Sequence, residues 1–199
     1  LTICFFIVLL IYFLLSQYYV SSLGNMYTYI INPLFFIIMA IILKFTVASP
    51  YKTNKYKKDF IQYILITVLL YSFLYLLSGI LTGYGTNPYA TSIRGIVFNL
   101  YSSGLIIVLK EYIRYKLINN VFKKDRNLIC VLAIIVFTIQ DVNIASILNN
   151  INMYYLFKSI FYVVIPSLIK NVLFTYIELY TDFIPASIYQ LLSYALLWL

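Results

Sequence analysis

Long uninterrupted runs of apolar residues constrain this chain more than any other feature of its sequence. A helix needs about 20 predominantly apolar residues to cross the hydrocarbon core of a bilayer. The runs predict membrane-spanning helices at residues 1–20, 27–47, 60–81, 92–118, 128–139, 159–180 and 187–199. The fifth run is short and could continue as a polar-faced helix to residue 148. Residues 149–158, rich in aromatic side chains, are expected to form an interfacial segment on the outer face.

The composition excludes a soluble domain. Hydrophobic residues make up 63% of the chain and charged residues only 10%, whereas soluble domains average about 45–50% and about 25%. Only helices and closed barrels satisfy their backbone hydrogen bonds in hydrocarbon, and continuous apolar runs lack the alternation of barrel strands. We therefore predict an all-α, polytopic transmembrane helix bundle of about seven spanning helices, forming a single domain over residues 1–199. Because both ends of the chain lie inside apolar runs, we expect a fragment of a longer protein.

The positive charges lie between the apolar runs and form no continuous patch. The net charge is +8, from 14 Lys and Arg against 6 Asp and Glu. Most of the cations fall in or beside two segments: Lys44, Lys52, Lys55, Lys57 and Lys58, then Lys110, Arg114, Lys116, Lys123, Lys124 and Arg126. Cytoplasmic loops carry such an excess. We therefore expect a multi-pass plasma-membrane protein with a cytoplasmic N-terminus, whose partner is the lipid bilayer and not nucleic acid.

Ionisable and amide side chains inside apolar helices are the candidate functional residues, because such groups are costly to insert. The candidate intramembrane polar site comprises Lys170, Asn171, Glu178 and Asp141. Lys170 and Glu178 are two turns apart and too distant to pair, so Lys170 needs another acceptor, such as Asp141. A buried polar network that orients the helices is the simpler interpretation, and a substrate or ion pathway is the alternative. By contrast, Lys110, Glu111, Arg114 and Lys116 are expected to snorkel to the cytoplasmic surface.

Catalytic patterns are weak. Ser167 and Lys170 have the Ser-x-x-Lys spacing of some serine–lysine hydrolases, but the supporting motifs of those enzymes are absent. Asp141 and Asp182 are expected at opposite faces, too far apart to share a proton as an aspartyl dyad. The chain has no histidine and only two cysteines, Cys4 and Cys130. We therefore predict no catalytic residues, no metal site and no cofactor in this segment.

Two stretches resemble a known family. The first reads Asn87-Pro88-Tyr89-Ala90-Thr91-Ser92-Ile93-Arg94-Gly95-Ile96, followed by Asn99 and Leu100. The second reads Ile165-Pro166-Ser167 with Asn171, Thr175-Tyr176, then Ile184-Pro185-Ala186-Ser187-Ile188-Tyr189 and Trp198. Together they resemble the N-terminal multi-spanning membrane region of bacterial signal peptidases of the archaeal and endoplasmic-reticulum type. The resemblance covers roughly residues 80–199.

The resemblance implies an integral membrane domain that anchors or positions a signal peptidase or its preprotein substrate and is not catalytic in itself. Its implied partners are a downstream peptidase domain and preprotein signal segments. The family pattern has a carboxylate where this chain has Lys170, which puts any shared acidic role in doubt. The nucleophilic serine of such peptidases, in a Ser-Met-Glu-Pro-like context, is absent from these residues, so no catalytic residue carries over.

A small-solute transport component is the alternative function. The substrate-binding subunits of energy-coupling vitamin transporters are similarly small, basic and apolar. Their first helix often carries Ala-x-x-x-Ala, however, and residues 1–20 contain no alanine. In this interpretation Lys170, Asn171 and Glu178 would line a solute site.

Overall fold

The computed structural model describes residues 2–47, 56–83, 92–120, 125–149 and 152–198, and all regular structure within these ranges is helical. The predicted all-α class is therefore confirmed. The helices are α1 (Thr2–Met26), α2 (Asn32–Thr46), α3 (Lys57–Thr82), α4 (Ile93–Asn119), α5 (Arg126–Asp141), α6 (Ile144–Asn149), α7 (Met153–Tyr180) and α8 (Phe183–Trp198).

The number of spanning helices was overestimated. Within the described residues, four helical stretches are long and apolar enough to cross a membrane, namely Leu23–Thr46, Lys57–Thr82, Ile93–Asn119 and Met153–Tyr180. The apolar part of α1 is shorter, at Thr2–Tyr18, and α5 has 16 residues. A helix of 16 residues extends about 24 Å, less than the hydrocarbon thickness of about 30 Å. The prediction of about seven spans was wrong because apolar runs were counted without their helical length.

Irregular turns mark where the apolar helices bend. Gly24 adopts φ 49° and ψ −122°, a backbone conformation that favours glycine, and this turns the chain from α1 into the second apolar stretch. π-helical turns at Tyr27–Ile31 and Ile160–Val164 precede Pro33 and Pro166. Proline has no N–H to donate within a helix, and a wider turn before it accommodates the missing bond.

Two predicted boundaries differ from the structure. Residues 153–158 form the first turns of α7, which runs unbroken from Met153 to Tyr180, so the separate interfacial segment was a wrong prediction. The fifth run ends as a helix at Asp141 and resumes at Ile144. The chain between them is extended at Val142, with φ −103° and ψ 125°.

Helix α4 lies at the centre of the bundle, in contact with α2, α5, α7 and α8. The main core cluster joins α1, α2, α4 and α5 through side chains such as Leu9, Phe36, Leu43, Leu117 and Phe137. A second cluster packs α3 against α7 and α8. Helix α3 is peripheral, and its exposed side chains include Ile66, Leu69, Phe73 and Ile80, as expected for a surface that faces lipid.

Several helix ends gather at one end of the bundle. Lys57 at the start of α3 pairs with Asp182 between α7 and α8, with Nζ and Oδ2 2.7 Å apart. Asn119 Nδ2, at the end of α4, donates to the Glu178 carbonyl over 3.1 Å. Lys116 Nζ donates to the Val47 carbonyl over 3.4 Å. Both basic segments therefore adjoin the same end of the bundle.

Candidate functional site

Two lysines from different helices meet one aspartate inside the bundle. The Oδ1 of Asp141 lies 2.8 Å from Lys110 Nζ, and its Oδ2 lies 2.6 Å from Lys170 Nζ. Lys110 is nine residues from the end of α4 and Lys170 is ten residues from the end of α7, about 14–15 Å along each helix. That depth is close to the middle of a hydrocarbon core of about 30 Å. Pairing removes much of the cost of charges at that depth.

Asn171 connects this trio to a second group of charges. Its Nδ2 donates to Asp141 Oδ2 over 3.0 Å, and its Oδ1 accepts a 2.6 Å hydrogen bond from Arg114 Nη2. The same Nδ2 lies 3.4 Å from Thr138 Oγ1 and 2.9 Å from the Ser167 carbonyl. Asn171 is fully buried. One amide thereby joins α4, α5 and α7 through polar contacts.

Arg114 is surrounded by groups that suit a buried guanidinium. Its Nη1 lies 3.2 Å from Glu111 Oε2, one turn earlier on α4. Its guanidinium carbon lies 4.4 Å from the Phe137 ring centre and 5.6 Å from that of Phe174, within the range of cation–π attraction. Gln190 of α8 donates from Nε2 to Glu111 Oε1 over 2.6 Å. We call Lys110, Glu111, Arg114, Asp141, Lys170, Asn171 and Gln190 the ion network.

Glu178 lies beside the ion network without joining its hydrogen bonds. The side chain is fully buried, and neither carboxyl oxygen has a hydrogen-bond partner in the part of the chain that the structure describes. Glu111 and Arg114 are among the charged groups that face it. A buried carboxyl without a hydrogen-bond partner is costly.

Gln17 of α1 supports the helix break that places Asp141. Its Nε2 donates to the carbonyls of Ile139 and Val142 over 3.2 and 2.9 Å. Its Oε1 accepts from the N–H groups of Ile144 and Ala145 over 2.9 and 3.3 Å. One side chain thus satisfies backbone groups on both sides of the break, which otherwise lack helical partners.

A polar cavity of about 250 Å³ opens beside Asp141. Lys110, Asp141 and Lys170 all contribute to its wall. The other polar lining residues are Asn32, Ser103, Gln140, Gln190 and Tyr194. Asn32 follows the π-turn at Tyr27–Ile31, and Ser103 belongs to a third π-turn at Leu100–Gly104. Such turns often occur at functional sites.

The sequence pattern identified part of this site. Lys170 does pair with Asp141, as its need for an acceptor suggested, and Asn171 joins the same cluster. Glu178 lies beside Glu111 and Arg114, and its carboxyl group has no hydrogen-bond partner among the described residues. Asp182 pairs with Lys57, while Asp141 is held by the two lysines, so each aspartate has its own cationic partner.

The expected snorkelling of α4 side chains was wrong. Lys110, Glu111, Arg114 and Lys116 are all buried, and Glu111 and Arg114 have no exposed surface. The helices α5, α7 and α8 pack against the part of α4 that carries Lys110, Glu111 and Arg114, whereas Lys116 lies against Val47 at the end of α2. The sequence signal for a buried ion pair was the Glu111-x-x-Arg114 spacing, which allows two charges to pair along one helix face. Gln17 and Gln190 were missed, since a single glutamine in an apolar helix does not indicate its partner.

Those residues of the family resemblance that the structure describes do not form one site. Asn87, Pro88 and Tyr89 lie outside the described residues. Arg94 and Tyr176 are exposed, whereas Asn99 is buried. Gly95 lies in the first turn of α4 and Pro185 in that of α8, and Tyr189 packs its ring 5.6 Å from that of Phe174.

The hydrolase hypothesis gains no geometric support. Lys170 Nζ lies 2.6 Å from Asp141, and no hydrogen bond joins it to the Ser167 hydroxyl in the described part of the chain. No group of three His, Cys, Asp or Glu residues among the described residues could hold a metal ion.

No family model matches the chain, and no match was found among curated proteins or solved structures.

Proposed function

We propose that this chain is the multi-spanning membrane region of a signal peptidase of the archaeal and endoplasmic-reticulum type. In this role it lies in the plasma membrane and anchors or positions the protease or its preprotein substrate. The basic segments, which adjoin one end of the bundle, would face the cytoplasm. The peptide-bond chemistry would belong to a separate domain on the opposite side of the membrane.

The observation that carries this proposal is the packing of the helices that hold the two resembling stretches. The first stretch leads into α4, and the second covers parts of α7 and α8. These three helices contact one another, in α4 through its later part, Leu105–Asn119. Asn171, part of the second stretch, bonds to Arg114 of α4. Two resembling stretches carried by helices that pack together are what a shared membrane domain would produce.

The ion network supports a role without catalysis. Its charged groups are engaged with one another, and Asp141 alone contacts two ammonium groups. Charges paired in this way hold helices in register, and they leave no free nucleophile and base in contact. A fixed arrangement of α4, α7 and α8 would hold an attached peptidase at a constant height above the membrane.

The test is preprotein cleavage by the natural protein. The chain would be tagged in its own cells, purified from native membranes in mild detergent, and incubated with a labelled secretory preprotein. We expect cleavage at the signal junction. An unrelated tagged multi-pass protein from the same membranes serves as the control. Cleavage no faster than in that control would refute the proposal.

A second candidate function, a small-solute transport component, is favoured by one specific feature. The cavity beside Asp141 adjoins a helix that is broken close to the middle of the bundle, between α5 and α6. Discontinuous helices with polar groups at mid-membrane are typical of solute sites in transporters. Mass spectrometry of the purified protein distinguishes the two functions, because a transport component should retain a small molecule and show no cleavage of preproteins.

A further inference from the structure

The cavity beside Asp141 contains hydrogen-bonding groups that the protein itself does not satisfy. A lysine ammonium has three donors, and Asp141 is the only hydrogen-bonding or ion-pair partner of Lys110 and of Lys170 in the described part of the chain. Gln140 Oε1 is a buried acceptor without a partner among the described residues. Buried polar groups are almost always satisfied. The cavity therefore has room and spare hydrogen-bonding capacity for a polar occupant.

The charges that line the cavity favour an anion. Two ammonium groups face one carboxylate there, which leaves a net charge of +1 on the wall. Arg114 does not line the cavity and has Glu111 as its own partner. In a medium of low dielectric constant an uncompensated positive charge attracts an anion strongly. The occupant should therefore carry a single negative charge.

The size of the cavity limits the occupant to a small molecule. A water molecule takes about 30 Å³ of liquid volume, so the cavity of about 250 Å³ has room for about eight. An organic anion of similar heavy-atom count would fill it. Planar carboxylates accept hydrogen bonds from two donors at once, and a hydroxyl on the same molecule could donate to Gln140.

We propose that this cavity binds a small hydroxycarboxylate. Lys110 and Lys170 donate to its carboxylate, and Gln140 Oε1 accepts from its hydroxyl. Asp141 lies between the two ammonium groups and offsets one of their two charges. This site goes beyond the anchoring role proposed above. In the transport function, the hydroxycarboxylate would be the substrate class. Binding of a soluble ligand is measured without reference to transport or to preprotein cleavage, so it tests this site independently of both functions.

The test uses the full chain in nanodiscs of uncharged lipid, with labelled lactate as the probe and neutral lactamide as its control. We expect saturable binding of lactate that lactamide does not displace. Lys170 is partly exposed, with 31% of its side-chain surface accessible, so Lys170→Gln should fold. This variant removes a charge-assisted hydrogen bond and should weaken lactate binding about tenfold or more. Lys158→Gln, which removes an exposed charge of α7, is the matched control.

A second variant separates ligand binding from a purely structural ion pair. Asp141 competes with the ligand for the two ammonium groups, so Asp141→Asn should bind lactate more tightly than the natural chain. Three results would each overturn the proposal: no saturable lactate binding by the natural chain, equal loss in Lys170→Gln and Lys158→Gln, or weaker binding by a folded Asp141→Asn variant.

Discussion

Asn171→Ala should be among the most destabilising single changes in the bundle. The substitution removes the bonds to Arg114 Nη2 and Asp141 Oδ2, of 2.6 and 3.0 Å, at a fully buried position. Hydrogen bonds to charged groups contribute about 1.5–3 kcal/mol each, whereas interhelical bonds measured in membranes average about 0.6 kcal/mol, with a maximum of about 1.7. Between these limits, two bonds and a small cavity give a loss of about 3 kcal/mol in the free energy of unfolding.

Unfolding by sodium dodecyl sulfate in bicelles, followed by circular dichroism, measures that loss. Asn152→Ser is a suitable control, because Asn152 is exposed and only caps the start of α7 by accepting from Tyr154 N. Serine retains a capping oxygen, so the control should change stability by no more than a few tenths of a kcal/mol. If Asn171→Ala destabilised the protein no more than the control, Asn171 could not be the connection between the charged groups of α4, α5 and α7.

Three further substitutions test other parts of the structure. Gln17→Leu should destabilise the bundle by about 2 kcal/mol, since it removes four side-chain hydrogen bonds to backbone groups on both sides of the helix break. Hydrogen exchange at Ala145 should accelerate, and unchanged exchange would refute the capping role. Arg114→Lys should lower the free energy of unfolding by about 2 kcal/mol, because an ammonium group cannot keep both the contact with the Phe137 ring and the hydrogen bond to Asn171. Unaltered stability in the same unfolding assay would contradict this. Lys57→Ala should lower the free energy of unfolding by less than about 1 kcal/mol, because its ion pair with Asp182 is partly exposed. A loss as large as that of Asn171→Ala would contradict this.

The sequence predicted the helical class and most of the helix positions, because hydrocarbon leaves a chain with long apolar runs few alternatives. It also indicated the pairing of Lys170 with Asp141, since a lysine deep in an apolar helix needs an acceptor. Both inferences rest on the free-energy cost of placing polar groups of a single helix in hydrocarbon. Neither requires knowledge of how the helices are arranged.

The rest of the site depends on partners that are distant in sequence. Gln17 bonds to backbone groups more than 120 residues away, and nothing in its own helix indicates this. Lys110, Glu111 and Arg114 have the composition of a snorkelling helix end, and only the packing of α5, α7 and α8 around α4 shows that they are buried. The number of spans was wrong for a related reason, because helix length depends on where tertiary contacts end each helix.

Whether a peptidase segment follows Leu199 in the natural protein tests the proposed function most directly. Peptide mapping by mass spectrometry of the protein isolated from its native membranes would detect such a segment, and protease protection would show on which side of the membrane it lies. We expect a peptidase segment with a nucleophilic serine in a Ser-Met-Glu-Pro-like context on the side opposite the basic segments. A protein that ends soon after α8 would contradict the signal-peptidase assignment, and the transport function would then become the leading proposal.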